Sequence, residues 1–482
     1  MQFPVIQRIL GILLALFSLT LLPPLALSWL FKDGAEIAFL LGWGLILSAG
    51  IVLWLPVRNV QAELRLRDGF IIVVLFWLTL GFTGSIPLLL SELPKLSVTD
   101  AIFESMSGLT TTGATVLTGI DSLPISVQFY RQQLQWLGGM GIIVLAVAIL
   151  PMLGIGGMQL YKAEIPGPLK DAKLTPRITE TAKALWYVYL GMTILCAGAY
   201  WLAGMPPFDA ISHSFSTVSI GGFSTHDASI GYFDNAAIEL VAVFFMLMAG
   251  MNFTLHFLAW RGFSLKPYAN DSEVRAYLTF LGTLSIVAIT YLLWLRPTDI
   301  DGSLRDGLFQ SVSIATTTGY TTTSYQSWPT FLPVLLLFGS FVGGCATSTG
   351  GGLKVIRVLL LVKQGLREIR RLIHPNALFS IKLGGRSLPD RVVNAVWGFF
   401  AAYVAVFGLL MLILLATGLD QVTAFSAMAA CLNNMGPGLG EVSAHYGPIN
   451  NIAKWVLIFA MILGRLEIFT LLVILTPTFW KK

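Results

Sequence analysis

The chain has 482 residues, of which 55% are hydrophobic and only 11% are charged, and its mean hydropathy is +0.77. Because an average soluble domain has about 25% charged residues, this composition excludes an ordinary water-soluble protein and predicts a chain that lies in a bilayer. The formal net charge is +5, and the apolar runs are continuous rather than alternating, which excludes a transmembrane β-barrel.

Ten apolar runs are long enough to cross a membrane as helices. The first run follows Arg8 and is too long for the apolar part of a signal peptide, so we expect a retained helix. The runs lie at 6–30, 37–57, 69–91, 128–153, 184–204, 236–260, 276–296, 331–361, 392–417 and 452–477.

Positive charge predicts the orientation of the chain. Twenty of the thirty Lys and Arg residues lie in four loops, at 58–68, 154–183, 261–275 and 354–391. The positive-inside rule therefore places these loops and both termini in the cytoplasm. The opposite loops are acidic, which would concentrate cations at the outer face or would simply reflect the need of loops for polar residues.

Four of the outer loops contain the same glycine-centred pattern. A glycine lies thirteen residues after an Asp or Thr in each loop, and the glycines are 109, 97 and 117 residues apart. The patterns begin at Asp100, Asp209, Asp306 and Thr423 and end at Gly113, Gly222, Gly319 and Gly436. Four matches at a near-constant spacing predict an internal repeat.

Elementary physics gives each repeat a shape. Asp and Thr are good N-caps, so we predict that these four residues begin half-membrane helices of about ten residues, roughly 15 Å long. The C-terminal end of each helix dipole then favours a cation near mid-membrane, and the glycine lets backbone carbonyls turn toward one axis. The alternative is ordinary contacts between helices through small residues, which a fourfold repetition argues against.

The sequence therefore predicts an all-α polytopic membrane protein with four span–pore-helix–span repeats in a pseudo-fourfold arrangement and two extra N-terminal spans. The expected units are an N-terminal helix pair at 1–67 and pore repeats at 68–180, 181–274, 275–389 and 390–482. Repeats in the same sense argue against an alternating-access carrier, whose repeats are inverted or doubled. A sodium- or proton-coupled cation carrier built on a four-loop pore stays an alternative.

The sequence gives no sign of an enzyme or of a resident cofactor. The three cysteines and five histidines lack metal-ligand spacing, and we find no nucleophile or acid–base cluster within the spans. Neither a G-x-G-x-x-G segment flanked by a strand nor a Walker A motif is present, so we expect no nucleotide site on this chain. We expect a lipid bilayer and no nucleic acid among its partners.

Six segments carry a resemblance to a known family. They are Thr-Thr-Gly113-Ala, Ile-Gly-Gly222-Phe, Thr-Thr-Gly319-Tyr, Asn-Met-Gly436-Pro, the glycine-rich run 343–352 and Gly464-Arg-Leu-Glu-Ile-Phe469. With them, essentially the whole chain resembles the Trk/Ktr/HKT superfamily of potassium transporters. The resemblance implies potassium uptake across the bacterial inner membrane, a homodimer of pores and a cytosolic nucleotide-binding regulatory subunit (TrkA-like, controlled by ATP, ADP or NAD).

The resemblance also implies which residues form the potassium-binding selectivity filter. They are Thr111, Thr112, Gly113, Ile220, Gly221, Gly222, Thr317, Thr318, Gly319, Asn434, Met435 and Gly436. In this superfamily a serine in place of the first filter glycine is associated with sodium selectivity. Since all four positions are glycine here, the resemblance implies potassium as the transported ion.

A glycine-rich run interrupts the apolar stretch 331–361 and should break its helix near mid-membrane, either as part of the ion path or as a flexible kink. By resemblance the third repeat holds an intramembrane gate loop here, below the filter. The gate residues would be Gly343, Gly344, Thr347, Ser348, Thr349, Gly350, Gly351 and Gly352.

Arg465 lies near the centre of the last apolar run, where a charge is costly and indicates a function. By resemblance it adds a positive barrier to the gate, and the alternative is a structural ion pair with a carboxylate on another helix. Lys354 and Arg357 would add to the same field or, as we favour, anchor the cytoplasmic end of their helix. The basic segment 363–375 would dock a regulatory subunit or anionic lipid, or simply follow the positive-inside rule.

Overall fold

A computed structural model describes residues 1–60, 66–141, 178–384 and 386–481 of the chain. Within these ranges the protein is almost entirely helical, and its strands are the antiparallel pair β1 (Lys382–Leu383) and β2 (Arg386–Ser387). Large apolar side chains cover the outside of the helices, as lipid requires; Leu202, for example, is 84% exposed. The predicted all-α membrane fold is confirmed.

The N-terminal helices are α1 (Phe3–Leu19), α2 (Leu22–Phe31) and α3 (Glu36–Trp54). Together they provide two candidate spans, Phe3–Phe31 and Glu36–Val57. Helices α1 and α3 approach closely at Gly11 and Gly50, where a Cβ on either glycine would lie 2.9 Å from the carbonyl oxygen of the other. Small residues allow this kind of contact between membrane helices. The two extra spans precede the repeats, as predicted.

Each repeat contains a spanning helix, a short buried helix and at least one helix after it. The first has α4 (Leu66–Gly84), α5 (Ile86–Leu90), α6 (Val98–Leu109) and α7 (Ile125–Gly139), and the second has α8 (Ile178–Leu202), α9 (Pro207–Ser219), α10 (Ala236–Ala249) and α11 (Phe253–Gly262). The third has α12 (Lys266–Asn270), α13 (Ser272–Leu295), α14 (Ile300–Ala315), α15 (Phe331–Val342) and α16 (Val355–Ile373), and the fourth has α17 (Asp390–Ala416), α18 (Gln421–Leu432), α19 (Asn451–Arg465), α20 (Phe469–Leu475) and α21 (Pro477–Trp480).

The short helices α6, α9, α14 and α18, called the pore helices below, lie at the centre of the molecule. Every residue of α6 from Ala101 to Leu109 is buried, and so are most residues of the other three. Their alternating serines are buried with them, which is unusual for a segment that faces lipid. Apart from exposed residues near their N-terminal ends, the pore helices therefore pack against protein.

The predicted N-caps of the pore helices are wrong. The residues at these positions are Ser97, Pro206, Asp299 and Asp420. Asp100, Asp209 and Thr423 instead lie three residues inside their helices, and Asp306 lies seven residues inside. In three of the four helices the physical reason is that a capping side chain occurs earlier in the chain: Asp420, for example, accepts hydrogen bonds from the backbone N–H groups of Val422 and Thr423. The N-cap of the second pore helix, Pro206, makes no side-chain capping bond.

The number of continuous spans is lower than the ten predicted. Six helices or helix pairs in the described residues can cross a membrane, or eight if two bent pairs count as spans. The run 236–260 bends by 97° between α10 and α11, and the run 452–477 bends by 113° between α19 and α20. Helix α7 ends at Gly139, and the predicted span 128–153 continues beyond residue 141, outside the described residues.

Candidate cation pathway

All four pore helices end in the same turn. The residues with positive φ at this point are Thr111 (55°), Ile220 (56°), Thr317 (70°) and Asn434 (53°). The following N–H groups donate to carbonyls five residues back, from Thr112 to Ser107 (2.9 Å), Gly221 to Ser216 (2.8 Å), Thr318 to Ser313 (2.8 Å) and Met435 to Ala430 (2.8 Å). This is the bond of a Schellman C-terminus, in which one left-handed residue ends the helix.

A second left-handed residue follows two positions later, and it is the glycine of the repeated pattern. The φ angles are 81° at Gly113, 80° at Gly222, 82° at Gly319 and 93° at Gly436. A glycine adopts such angles without the steric cost that a Cβ brings. The short stretches 111–113, 220–222, 317–319 and 434–436, called the pore segments below, thus share one backbone path.

The four pore segments form a closed ring. A Cβ added at Gly113 would lie 2.2 Å from the carbonyl oxygen of Gly221, at Gly222 2.0 Å from that of Thr318, at Gly319 2.0 Å from that of Met435, and at Gly436 2.7 Å from that of Thr112. Each glycine therefore abuts the carbonyl of the next segment, and the fourth segment returns to the first. The four glycines are called the glycine ring below.

A cavity of about 370 Å³ opens on one side of the glycine ring and is lined by all four glycines. His226 also faces this vestibule, with Nδ1 2.5 Å from Asp121 Oδ1 and Nε2 3.6 Å from Asp209 Oδ1. Burial alone would lower the pKa of His226, but the nearby carboxylates of Asp209 and Asp121 outweigh it and raise the pKa above its ordinary value. The vestibule therefore contains acidic groups and one titratable cation.

A buried ion pair lies between the vestibule and the first pore helix. Arg131 Nε donates to Glu104 Oε1 at 2.8 Å, and the two side chains are 1% and 0% exposed. The sequence analysis did not assign Arg131 to the pore. The signal that was available is the acidic residue within the otherwise serine-rich pattern of the first loop.

On the other side of the ring, residues 343–354 form a loop, called the inner loop below, between α15 and α16. It touches three pore helices or their ends: Thr349 Oγ1 donates to Val218 O (3.0 Å), Gly351 N donates to Thr317 Oγ1 (2.7 Å) and Gly352 N donates to Asn433 O (3.2 Å). The predicted helix break is confirmed, and the loop lies directly against the inner ends of the pore segments.

The predicted gate residues occupy different parts of the inner loop. Gly343 and Gly352, with φ of 70° and 75°, bring the two ends of the loop together, and a Cβ at Gly343 would lie 2.1 Å from Gly351 O. Thr347 O accepts from Phe253 N at 3.3 Å, which ties the loop to the start of α11. Gly344, Ser348 and Gly350 complete the loop, and the carbonyls of Ser348 and Gly350 accept from Lys354 Nζ at 3.4 and 2.8 Å.

Arg465 links this loop to the first repeat. Its Nη1 donates to Thr111 Oγ1 and to Thr349 O, both at 3.1 Å, and its Nη2 donates to Gly138 O at 2.5 Å. The last helix turns sharply at this residue, where α19 ends. The guanidinium therefore lies beside the first pore segment and the inner loop.

The whole architecture matches known cation transport proteins. Residues 36–482 match the family model of TrkH, described as cation transport protein. The chain belongs to the TrkH family. It is 61% identical to the Trk system potassium uptake protein TrkH of Vibrio parahaemolyticus over 488 residues, and 56% identical to that of Escherichia coli over 484 residues, with 100% of each chain covered.

A solved relative has the same fold as this member of the TrkH family. The crystal structure of the potassium transporter TrkH from Vibrio parahaemolyticus superposes with a TM-score of 0.91 at 58% identity and covers 100% of both chains. The chain is also 44% identical to the potassium uptake protein TrkG of Escherichia coli over 480 residues, which is 99% of each. The family consists of transporters, so this chain is a membrane transporter and not an enzyme.

Within this TrkH-family chain, two charged residues near the inner loop differ from their expected roles. Lys354 and Arg357 are buried, 9% and 5% exposed, rather than anchoring a helix in solvent. Arg357 pairs with Glu467, which follows the bend after Arg465, and its guanidinium lies 4.1 Å from the ring centre of Phe399. The favoured interpretation of Lys354 and Arg357 as cytoplasmic anchors is therefore wrong, because both bind groups of the inner loop region.

A second feature that sequence reasoning missed is Glu273, in the first turn of α13. Its Oε1 accepts from Ala346 N at 2.7 Å and from Ile356 N at 3.2 Å, so one carboxylate joins the inner loop to the first turn of α16. The side chain is 6% exposed. No local pattern marks this residue, because its two partners lie 73 and 83 residues away.

Proposed function

We propose that this chain takes up potassium through a central pore in which the four pore segments are the selectivity filter. The observation that carries the proposal is the closed ring, in which each glycine abuts the carbonyl oxygen of the next pore segment. Carbonyl oxygens around one axis can replace the hydration shell of a cation. The family relatives named above are potassium uptake proteins, which agrees with this ion.

The pore helices support a cation at the centre of the membrane. Each one ends at a pore segment, so four C-terminal dipole ends, each equivalent to about half a negative charge, point toward the ring. This field is fixed by the backbone and needs no carboxylate in the path. A cation thus finds favourable potential where desolvation costs most.

Glycine at all four ring positions favours potassium in this proposal. A serine at Gly113 would bring a Cβ to within 2.2 Å of Gly221 O, at a φ of 81°. The neighbouring segment would have to shift, and the carbonyl geometry around the ion would change. We therefore expect ion selection to depend on each ring glycine.

The inner loop and Arg465 act as the gate in this proposal. The inner loop lies against three pore helices, and the Arg465 guanidinium joins it to Thr111 of the first pore segment. A fixed positive charge about 10 Å from a cation costs about 1.7 kcal/mol at an effective dielectric constant of about 20, which slows passage roughly tenfold. Opening requires the loop and the arginine to leave the path.

The assembly and topology remain part of the proposal. We propose a multi-pass protein of the bacterial inner membrane with both termini in the cytoplasm, assembled as a homodimer and regulated by a TrkA-like nucleotide-binding subunit. The alternative mode of transport is symport with sodium or protons through the same pore. The five units at 1–67, 68–180, 181–274, 275–389 and 390–482 are the proposed domains.

Flux through liposomes that contain the purified chain tests the proposal. We expect potassium and rubidium to pass and sodium to be largely excluded under a potassium gradient alone. We expect Gly113→Ser to lower the potassium-to-sodium flux ratio and Arg465→Ala to raise total flux roughly tenfold. Gly418→Ser is the matched control, because Gly418 also has a positive φ (98°) but has no atom within 4 Å of an added Cβ.

Three results would contradict this function. An unchanged flux ratio in Gly113→Ser would remove the glycine ring from the filter. A reduced flux in Arg465→Ala would remove the barrier role. A requirement for a proton or sodium gradient would replace the channel with the coupled carrier.

A further inference from the structure

On the vestibule side of the glycine ring, the residues that follow each ring glycine make different contacts with their pore helix in the four repeats. The contacting residue of the pore helix lies four positions after the start of each repeated pattern. This position holds Glu104, His213, Gln310 and Ala427 in the four repeats. A carboxylate, an imidazole, an amide and a methyl group thus occupy equivalent places on the pore helices.

The carboxylate of the first repeat makes the strongest set of contacts. Glu104 accepts from Thr115 Oγ1 at 2.9 Å and from Val116 N at 3.0 Å, so it holds the residues that follow Gly113. By contrast, Gln310 reaches Thr323 O at 3.3 Å, and His213 reaches Ser224 Oγ at 2.9 Å. Ala427 offers no polar side-chain group.

Arg131 extends this support from the first pore segment to the second. Besides Glu104, it donates from Nη1 to Ser224 O at 3.2 Å and from Nη2 to Thr115 Oγ1 at 3.2 Å. Its guanidinium also lies 4.3 Å from the ring centre of Phe223. Ser224 and Thr115 each lie two residues beyond a ring glycine, so one guanidinium joins two adjacent walls of the ring.

We propose that Arg131 and Glu104 are positioning residues for ion selection, which together hold the first and second pore segments at the spacing that suits potassium. The inference rests on the proposed function, since it assigns the pair to the same filter. A smaller cation such as sodium needs its carbonyl ligands closer together, and a rigid wall opposes that movement. The pair acts through the backbone and does not touch the ion.

The chemistry of arginine suits this task. A planar fork of donors reaches a carboxylate, a hydroxyl and a carbonyl at once, whereas the single ammonium of lysine cannot. Because Glu104 neutralises the guanidinium, the vestibule gains a rigid wall without a net positive charge that would repel cations. Loss of the fork should therefore change ion selection even where the charge is kept.

The test compares Arg131→Lys and Glu104→Gln with the parent chain in liposomes, with rubidium and sodium flux measured separately. Arg131→Lys keeps the charge and loses the fork, and Glu104→Gln keeps the shape and loses the charge. Arg305→Lys is the control for the change of arginine to lysine, because Arg305 pairs with Glu239 (2.7 Å) and Asp234 (3.1 Å), is more exposed than Arg131 and touches no pore segment. Melting temperature and monodispersity in detergent report whether each variant is folded.

We expect the rubidium-to-sodium ratio to fall up to roughly tenfold in Arg131→Lys, the factor that the loss of a charged hydrogen bond can cause, and to fall less in Glu104→Gln. The ratio should stay unchanged in Arg305→Lys. If Arg131→Lys does not fold, the ratio in Glu104→Gln decides.

Several outcomes overturn the inference. Lower total flux at an unchanged ratio means that the pair is merely structural. An unchanged ratio in a folded Arg131→Lys, together with a changed ratio in Glu104→Gln, means that the pair acts through its charges and not through the fork. A parent chain that passes sodium as readily as rubidium overturns the proposed function itself, whereas a selective parent with unaffected variants overturns the pair's role alone.

Discussion

The two sides of the glycine ring are built in different ways. The pore helices, their left-handed ends and the ring glycines repeat four times with nearly the same angles and hydrogen bonds. On the inner side, the third repeat alone has the long loop 343–354 within the described residues, and Arg465 belongs to the fourth repeat. The ring thus follows one local rule, and the inner side depends on single residues.

This difference separates two kinds of dependence on sequence. A ring position is fixed by its backbone angle and by the carbonyl next to it, so its requirement is steric and nearly absolute. An inner-loop position is fixed by hydrogen bonds to partners far away in the chain, so its loss should change the frequency of opening rather than abolish the pore. Substitutions on the two sides should therefore fail in different ways.

The largest effect is expected in the ring, for Gly319→Ala. The new Cβ would lie 2.0 Å from Met435 O at a φ of 82°, and the strain of such a residue is about 1–2 kcal/mol before the clash is counted. We expect selective rubidium flux to fall by more than roughly tenfold. Gly418→Ala should retain the parent flux, and a selective Gly319→Ala protein would contradict the steric rule.

An intermediate effect is expected on the inner side, for Glu273→Gln. The amide keeps the shape of the carboxylate but accepts less strongly from Ala346 N and Ile356 N, so the inner loop should open more often. We expect rubidium flux to rise roughly threefold with unchanged ion selectivity. Glu368→Gln, which changes a half-exposed acid on α16, is the control. A decrease in flux would show that Glu273 does not hold the loop shut.

The smallest effect is expected in the vestibule, for His226→Asn. Because the pKa of His226 is raised by Asp209 and Asp121, its imidazolium persists to higher pH than that of a free histidine and is lost as the pH rises through that pKa. When the pH on the vestibule side is lowered from about 8 to about 5, His226 becomes positively charged and should repel cations, although Asp227 also lines the cavity. We therefore expect the cation flux of the parent chain to fall, but by less than roughly threefold.

In His226→Asn the same pH series should give a flatter profile. His374→Asn, directly after α16, should keep the parent profile because His374 does not line the vestibule. An identical pH dependence in His226→Asn and the parent chain would exclude His226 as the titrating group.

The sequence was most informative where structure depends on local rules. The thirteen-residue spacing correctly identified the four glycines of the ring, all of which have positive φ, and the glycine-rich run 343–352 correctly predicted a break in the helix. Helix starts were predicted less well, because Asp306 and Thr423 can begin a helix in principle but Asp299 and Asp420 precede them. Propensity alone does not choose between two good caps.

Breaks in apolar runs were harder to predict. The bend between α10 and α11 falls at Gly250-Met-Asn252, and Asn252 caps α11 through its bond with Thr254 N at 2.8 Å, a signal that hydropathy does not register. In the bend after Arg465, the residues with positive φ are Glu467 and Ile468 rather than glycines, so the sequence carries no glycine signal there. Tertiary contacts between distant repeats decide such places, and a single sequence does not reveal them.

The contact that closes the ring also bears on how the protein is made. Gly436 meets the carbonyl of Thr112, and Asn434 Nδ2 donates to Thr112 Oγ1 at 2.9 Å, across 322 residues of chain. Since a chain is synthesised and inserted from its N-terminus, the first three pore segments are in the membrane before the fourth is available to close the ring. A ribosome that stops before the fourth repeat would therefore leave a polypeptide with three complete repeats and an open ring.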